Sequence, residues 1–317
     1  MRSQDSTVLV TGGLGYIGSR TVPQLLERGW RVRILDNQYR CDPAVAERLS
    51  RTDGVDVVEG DVRYRGSVDK ATRGVEAVVH LAAMCLNKSI SDPAESLDVN
   101  LAGTQQVIES AVANGVPRFV YASSASVYGN PTSLPMRETD PPDPLTPYCI
   151  AKLAGEHLLR FQAQRTGLRW MAFRFFNVYG PGQQTDAYYT SVVLTFLRRI
   201  AAGEAPVIDG KGEQSMDFVH VDDIARALVL ATESDVSGEI LNVGTGSQTT
   251  VAQLAELLIA AVGADATPEF RPREVLVARR QAAIDRAAEV LGWAPHVGLE
   301  EGLASVVAHL KSVGDLP

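Results

Sequence analysis

The segment Val8-Leu9-Val10-Thr11-Gly12-Gly13-Leu14-Gly15-Tyr16-Ile17-Gly18 constrains the fold more than any other part of this chain. An apolar run enters a glycine turn there, and the turn opens a helix-forming stretch. Glycines at this spacing let the backbone turn tightly and approach a pyrophosphate, whose charge then meets the N–H groups at the positive end of the helix. Strand–turn–helix units without a ligand also use glycine, so the motif gains its meaning from the next strand. That second strand pattern, Arg31 to Leu35, ends on Asp36. A carboxylate at that place accepts both hydroxyls of an adenosine ribose and repels a 2′-phosphate. Together the two features predict a bound dinucleotide, and NAD rather than NADP.

Strand and helix patterns alternate through the first two thirds of the chain, which predicts a Rossmann-type, doubly wound parallel α/β sheet. The predicted strands are 7–11, 31–36, 55–59, 76–81, 118–123 and 169–175, with helices at 16–28, 42–51, 66–71, 93–114 and 148–166. Pro23 falls inside the first helix, where it removes one hydrogen bond and favours a kink. Beyond Gly182 the alternation lapses. A loop and helix are succeeded by a strand pair around Val207–Asp209 and Asp217–His220, then helices at 222–233 and 251–262. The expected division gives residues 1–175, with a return of about 216–243, to an NAD-binding domain. Residues 176–215 and 244–317 form a smaller C-terminal α/β domain for the substrate.

Composition removes several classes of function. With 45% hydrophobic and 21% charged residues among 317, the chain reads as an ordinary globular enzyme. Its net charge of −8 opposes a nucleic-acid partner or an anionic membrane surface. Bound phosphates therefore depend on local cations or backbone dipoles. Three cysteines, Cys41, Cys85 and Cys149, form no CxxC pair, which fits a reducing cytoplasm and no metal site. No apolar run approaches a membrane span, and Met1–Thr7 lacks a signal-peptide core. The expected location is cytoplasmic.

Tyr148 and Lys152 stand one helical turn apart, so they share a face. An ammonium beside a phenol favours the phenolate and makes the tyrosine a usable acid and base near neutral pH. Upstream, the strand end Ser123-Ser124-Ala125-Ser126-Val127-Tyr128-Gly129 is rich in hydroxyls. In a parallel sheet, ligands sit at the C-terminal ends of the strands, where the glycine turn also lies. A serine hydroxyl there can bond the same substrate oxygen that Tyr148 protonates.

These elements form an ordered set with Asp61-Val62, His80-Leu81-Ala82-Ala83, Asn100, Asn177-Val178-Tyr179-Gly180-Pro181 and Asn242-Val243-Gly244. From about residue 6 to 310 the chain resembles the extended short-chain dehydrogenase/reductases, most of all their NAD-dependent nucleotide-sugar epimerases, such as the UDP-glucose and UDP-glucuronate 4-epimerases. The resemblance implies Tyr148 as acid and base, Lys152 as its pKa tuner and a ribose ligand, and Ser124 as the hydroxyl that orients the sugar. It implies a cofactor cradle of Gly12, Gly15, Tyr16, Ile17 and Gly18, with Asp36 and Asn37 at the ribose and Asp61 and Val62 beside the adenine. Leu81, Ala82, Ala83, Asn100 and Ser123 line the cofactor's path in that reading. Ser126 and Asn177 join the substrate site, with Asn177 at the sugar-nucleotide phosphate. The substrate it implies is a UDP-sugar, with dTDP as the other base, and the assembly is a homodimer through the helices at 93–114 and 148–166.

Plainer readings stand beside these. Asp61 can cap the following helix, Asn100 can bend its own helix as a core polar group, and Asn177 can satisfy loop backbone. His80, Tyr128 and Tyr179 can be packing groups. The chain also departs from the family pattern. Many members carry an arginine just before the later Asp-Phe, and Met216 occupies that place here. Arg271 or Arg273 is the expected replacement cation for the diphosphate. A sugar-nucleotide dehydratase of this kind carries an Asp-Glu pair after the active-site hydroxyl residue, and Ala125-Ser126 stand there instead. The glutamate usual in the related decarboxylases is absent from the same stretch. An NAD-sensing protein of the same fold would typically lack the Tyr–Lys pair.

Overall fold

The computed structural model describes residues 6–184, 191–272 and 279–316. Strands β1 (Thr7–Thr11), β2 (Arg31–Asp36), β3 (Val55–Glu59), β4 (Ala77–His80), β5 (Arg118–Ser124) and β6 (Arg169–Phe175) all enter one sheet. Four short strands come next, outside it: β7 (Asn177–Tyr179), β8 (Val207–Asp209), β9 (Ser215–Met216) and β10 (Phe218–His220). The chain then returns with β11 (Glu239–Val243), which pairs beside β6. The order is β11-β6-β5-β4-β1-β2-β3, and every neighbouring pair is parallel.

A parallel sheet covered on both faces needs apolar side chains pointing both ways. Val8, Leu9 and Val10 of β1 are each fully buried, with Val8 and Val10 in one apolar cluster and Leu9 in the opposite one. Helix α1 (Tyr16–Glu27) runs through Pro23 and packs against α9 (Val221–Glu233) on one face. On the other face, α3 (Arg65–Thr72) meets α6 (Thr104–Ala113), which meets α7 (Pro147–Thr166). A third cluster lies away from the sheet, where α8 (Val192–Ala201), α10 (Val251–Val262) and α12 (Leu299–Ser312) enclose Phe196, Leu254 and Leu303. The strand order reverses between β1 and β4, and ligands bind in the crevice at the C-terminal ends of such a pair.

Two expectations need correction. The stretch 93–114 is helical from Pro93 to Ala113 as expected, but not α throughout: α5 (Pro93–Leu97) passes through a π-helical stretch, Asp98–Gly103, into α6, and a separate short helix, α4 (Leu86–Ser91), precedes it. Asn100 sits inside the π-helical stretch and bonds outward to Met84, and a Cβ at Gly103 would meet the Val62 side chain at 2.7 Å. Val207–Asp209 and Asp217–His220 do not pair with each other. β8 pairs with β13 (Glu269–Arg271) and β10 with β7, while β9 takes β12 (Thr249–Thr250). Gly210 and Gly212, at φ 71° each, turn the chain out of the first ladder before it enters the next.

Candidate active site

The crevice between β1 and β4 is built by close backbone approach. Gly12 has φ 68°, and a Cβ there would lie 2.8 Å from the Ala82 backbone. At Gly18 a Cβ would lie 2.5 Å from the Gly13 Cα, so the helix can press onto the turn only without one. Gly15 precedes α1 with no side-chain cap, which leaves the positive helix end as an anion site formed with Tyr16, Ile17 and Gly18. Asp36 is nearly buried, and its oxygens take one amide each: Oδ2 from Leu14 at 3.0 Å and Oδ1 from Gln38 at 2.8 Å. Each keeps a further acceptor position, matching a vicinal diol. Burial raises the Asp36 pKa, and the two amides act against that rise. These features fit the adenosine and diphosphate parts of NAD.

Asp61 is more heavily engaged than the sequence implies. Its carboxylate accepts from Arg63 N, Nε and an Nη, and from Asn37 Nδ2 at 2.9 Å. Although burial opposes it, this bonding, chiefly from Arg63, lowers the Asp61 pKa. An adenine contact from this side chain requires release of one of those bonds, and neighbouring Val62 is buried. Asn100 also has a different position from that expected of a cofactor contact. It is 1% exposed, accepts from Met84 N at 2.7 Å, and donates to Met84 O and Ser96 Oγ. Its work is to hold the loop after β4, which carries Leu81, Ala82 and Ala83. Ser123 is likewise turned inward, donating to Glu156 Oε1 at 2.5 Å.

Helix α7 begins with Thr146 as cap and Pro147 in its first turn, a helix-starting combination. It presents half-buried Tyr148 and buried Lys152 on one side. Lys152 Nζ donates to Ala122 O at 2.7 Å and lies 5.1 Å from the Tyr121 ring centre and 5.7 Å from that of Tyr148. Ser124 accepts from the Ser126 amide at 3.2 Å and from its hydroxyl at 2.8 Å. The Ser124 hydrogen remains for a ligand.

Burial pushes the Lys152 pKa down to about 7, so the ammonium persists only up to neutrality. The unfolded chain, at roughly 10.4 for lysine, holds that proton to higher pH. Folding stability contributed by this residue therefore rises as pH increases from about 7 towards 10. His80 is fully buried between Thr11 and Thr104, and burial lowers it to about 3, so it does not titrate in that window. The melting temperature of the unmodified protein should gain several degrees between pH 7 and 9 relative to Lys152→Met. Parallel pH profiles for the two proteins would refute this account of the burial.

Sequence reasoning overlooks one large feature beside the pair. Glu156 and Arg174 form a buried two-point ion pair, at 2.7 Å and 3.0 Å, with side chains 2% and 4% exposed. Although desolvation opposes it, Glu156 raises the Arg174 pKa. The signal is legible in part: Tyr148, Lys152 and Glu156 recur every fourth residue on one helical face.

On the substrate side, Asn177 is half-buried and donates through N and Nδ2 to Asp217 O. The Asp217 carboxylate, itself fully buried, accepts from Thr245 N and Oγ1, Gly246 N and Ala282 N. Met216 is half-buried. Arg271 is exposed and forms an ion pair with Asp209 at 2.6 Å, so its charge already has a partner, and Arg273 lies outside the described residues.

Residues 8–244 match the model of the NAD dependent epimerase/dehydratase family. The chain belongs to that family. Over 313 residues it is 36% identical to the UDP-glucose 4-epimerase of Mycolicibacterium smegmatis, covering 96% of this chain and 98% of the relative. The UDP-glucose 4-epimerase of Thermotoga maritima, solved with UDP-glucose, superposes with TM-score 0.90 at 35% identity, over 97% of this chain and 99% of that one. A dTDP-glucose 4,6-dehydratase of Streptomyces venezuelae, solved with NAD, gives TM-score 0.88 at 30% identity over 98% of each. This epimerase/dehydratase family member thus has its fold, the α/β sheet with the reversed strand order, in common with both kinds of enzyme.

Proposed function

We propose that this protein is an NAD-dependent nucleotide-sugar 4-epimerase acting on a UDP-sugar. The observation that carries the reading is the placement of Tyr148 over buried Lys152, whose Nζ bonds Ala122 two residues before Ser124 at the end of β5, at the same end of the sheet as the Gly12–Gly18 cradle. Tyr148 takes the proton from the C4 hydroxyl and later returns it, while the Lys152 ammonium favours its phenolate. Ser124 donates to the same oxygen and orients the ring. NAD, held by the glycine turn and Asp36, supplies reversible two-electron oxidation of the sugar carbon. The resulting 4-keto sugar turns about its anchored diphosphate, and reduction from the other face inverts C4. Asn177 is assigned to the phosphates, and residues 176–215 and 244–317 to the sugar-nucleotide side.

Ala125 and Ser126 support this reading over dehydration, which needs a second acid and base at those places. Incubation with UDP- and dTDP-hexoses and hexuronates, with products resolved by NMR, tests it. C4 epimers are expected, and a 4-keto-6-deoxy product would replace this reading by the dehydratase one. For the cofactor, NAD should bind far more tightly than NADP, and Asp36→Ala should narrow the gap. Equal binding of both by the unmodified protein would contradict the assignment of Asp36.

Two further parts of the reading concern assembly and place. Exposed Ile90, Leu97, Ile150 and Phe161 lie on α4, α5 and α7, which favours a homodimer through these helices. Light scattering at micromolar concentration that gave only the 34.1 kDa chain would rule it out. Three free cysteines favour the cytoplasm, a placement that fractionation of cells would test. Among the described residues no helix is long and apolar enough to cross a membrane.

A further inference from the structure

One buried ion pair grips both ends of the turn that presents Ser124. The turn starts at Ser123 near the end of β5 and runs through the 3-10 segment Ala125–Tyr128, which Gly129 closes at φ 61°. At the first end, Ser123 Oγ donates to Glu156 Oε1 at 2.5 Å. At the last end, the Tyr128 ring centre lies 4.6 Å from the Arg174 guanidinium carbon. Glu156 and Arg174 bond to each other through two contacts, so both ends of the turn meet in one pair.

The outer edge of Tyr128 is fixed as well. Its hydroxyl donates to Asn242 Oδ1 at 2.7 Å, and Asn242 N donates to Glu138 Oε1 at 2.8 Å. Asn242 Nδ2 donates to Met136 O at 2.9 Å and to Ala283 O at 3.3 Å. Ala283 belongs to a strap, residues 279–283, whose amides at Arg280 and Ala282 donate to Ser215 O and the Asp217 carboxylate. Burial pushes the Tyr128 phenol up to about 12, with Arg174 acting the other way, so the hydroxyl keeps its proton and goes on donating. Ser123, Tyr128, Glu156, Arg174 and Asn242 are all buried, and they act on a ligand only through what they hold.

What they hold is Ser124, half-buried, with its oxygen accepting from Ser126 N and Oγ and its own hydrogen uncommitted. Apolar groups of similar size are often no less stabilising than a buried ion pair, whose best-attested use is to fix register. We propose that Glu156, Arg174 and Tyr128 are positioning residues, a clamp that fixes the Ser123–Tyr128 turn and so aims the Ser124 hydroxyl at the C4 oxygen of the sugar. This rests on the 4-epimerase reading, in which Ser124 orients that oxygen. A displacement of about 1 Å at a reacting centre can cost about 10²-fold, so a loosened clamp registers in rate before it registers in binding.

Glu156→Ala leaves a guanidinium buried alone, so two milder variants make the test. Ser123→Ala removes one bond and leaves both contacts between Glu156 and Arg174. Tyr128→Phe keeps the ring beside Arg174 and removes the bond to Asn242. Each should lower kcat by about tenfold, while KM for the sugar nucleotide and NAD affinity change by less than about threefold. A double-mutant cycle with Ser124→Ala decides the cause. In the Ser124→Ala background either substitution should cost less than about twofold in kcat, while its effect on melting temperature stays the same.

Unchanged kcat in both single variants overturns the proposal. So does a loss that persists at full size without the Ser124 hydroxyl, since the clamp then serves stability alone. NMR of the products separates this inference from the reading beneath it. Epimers together with an additive cycle defeat the clamp only. A 4-keto-6-deoxy product from the unmodified protein defeats the 4-epimerase reading, and the same cycle on that rate still judges the clamp, because oxidation at C4 is common to both reactions.

Discussion

Tyr148→Phe is expected to lower turnover by about 10²–10⁴-fold, the usual contribution of a positioned acid–base group, with fold and NAD binding retained. The substitution removes one oxygen and keeps the ring whose centre lies 5.7 Å from Lys152 Nζ. That contact depends on the aromatic face, so the packing of Lys152 survives. Lys152→Ala should also slow turnover and, with the ribose contact that the family resemblance implies for this residue, weaken NAD retention as well. The two variants are therefore separable by titration with NAD as well as by rate. Near-normal epimerisation by Tyr148→Phe would sink the mechanism.

The largest effect on stability is expected at Glu156. Removing its carboxylate leaves the Arg174 guanidinium buried without a counter-charge and takes the acceptor from Ser123. Breaking such a pair costs about 3–5 kcal/mol. Against a total stability of roughly 5–15 kcal/mol, Glu156→Ala should lower the melting temperature on the order of 10 °C. Replacing both partners by methionine should restore much of the loss, since no charge is then buried alone. A Glu156→Ala protein that melts within a degree or two of the parent would show that water or another group compensates Arg174.

The first half of the chain is legible because its signals are local. The glycine turn, Asp36, the apolar strands and the Tyr148–Lys152 spacing all lie within stretches where backbone geometry is dictated by near neighbours. The π-helical turn is not, because Asn100 takes its shape from Met84, sixteen positions away and brought close only when the sheet closes. The ladder partners of β8 and β10 are equally non-local: Val207 pairs with Glu269, and Phe218 with Asn177. Pattern alone therefore finds those strands and mispairs them. Asp61 stands out in the sequence as a candidate, but its four-fold engagement by Arg63 and Asn37 depends on side-chain rotamers that no spacing reveals.

That buried Asp217 has a mechanical meaning for a reaction that must invert a stereocentre. One carboxylate joins the exit of β11, through Thr245 and Gly246, to the strap at Ala282, and its own backbone oxygen receives Asn177. Three stretches of chain distant in sequence are thus tied at a single point, and they cannot separate without exposing an unsatisfied carboxylate. A 4-epimerase mechanism of the kind proposed would then turn the ligand against this tied surface rather than rearrange it around the ligand. Stereochemical promiscuity in such a design would come from the freedom left to the substrate, while the segments tied at Asp217 keep their places.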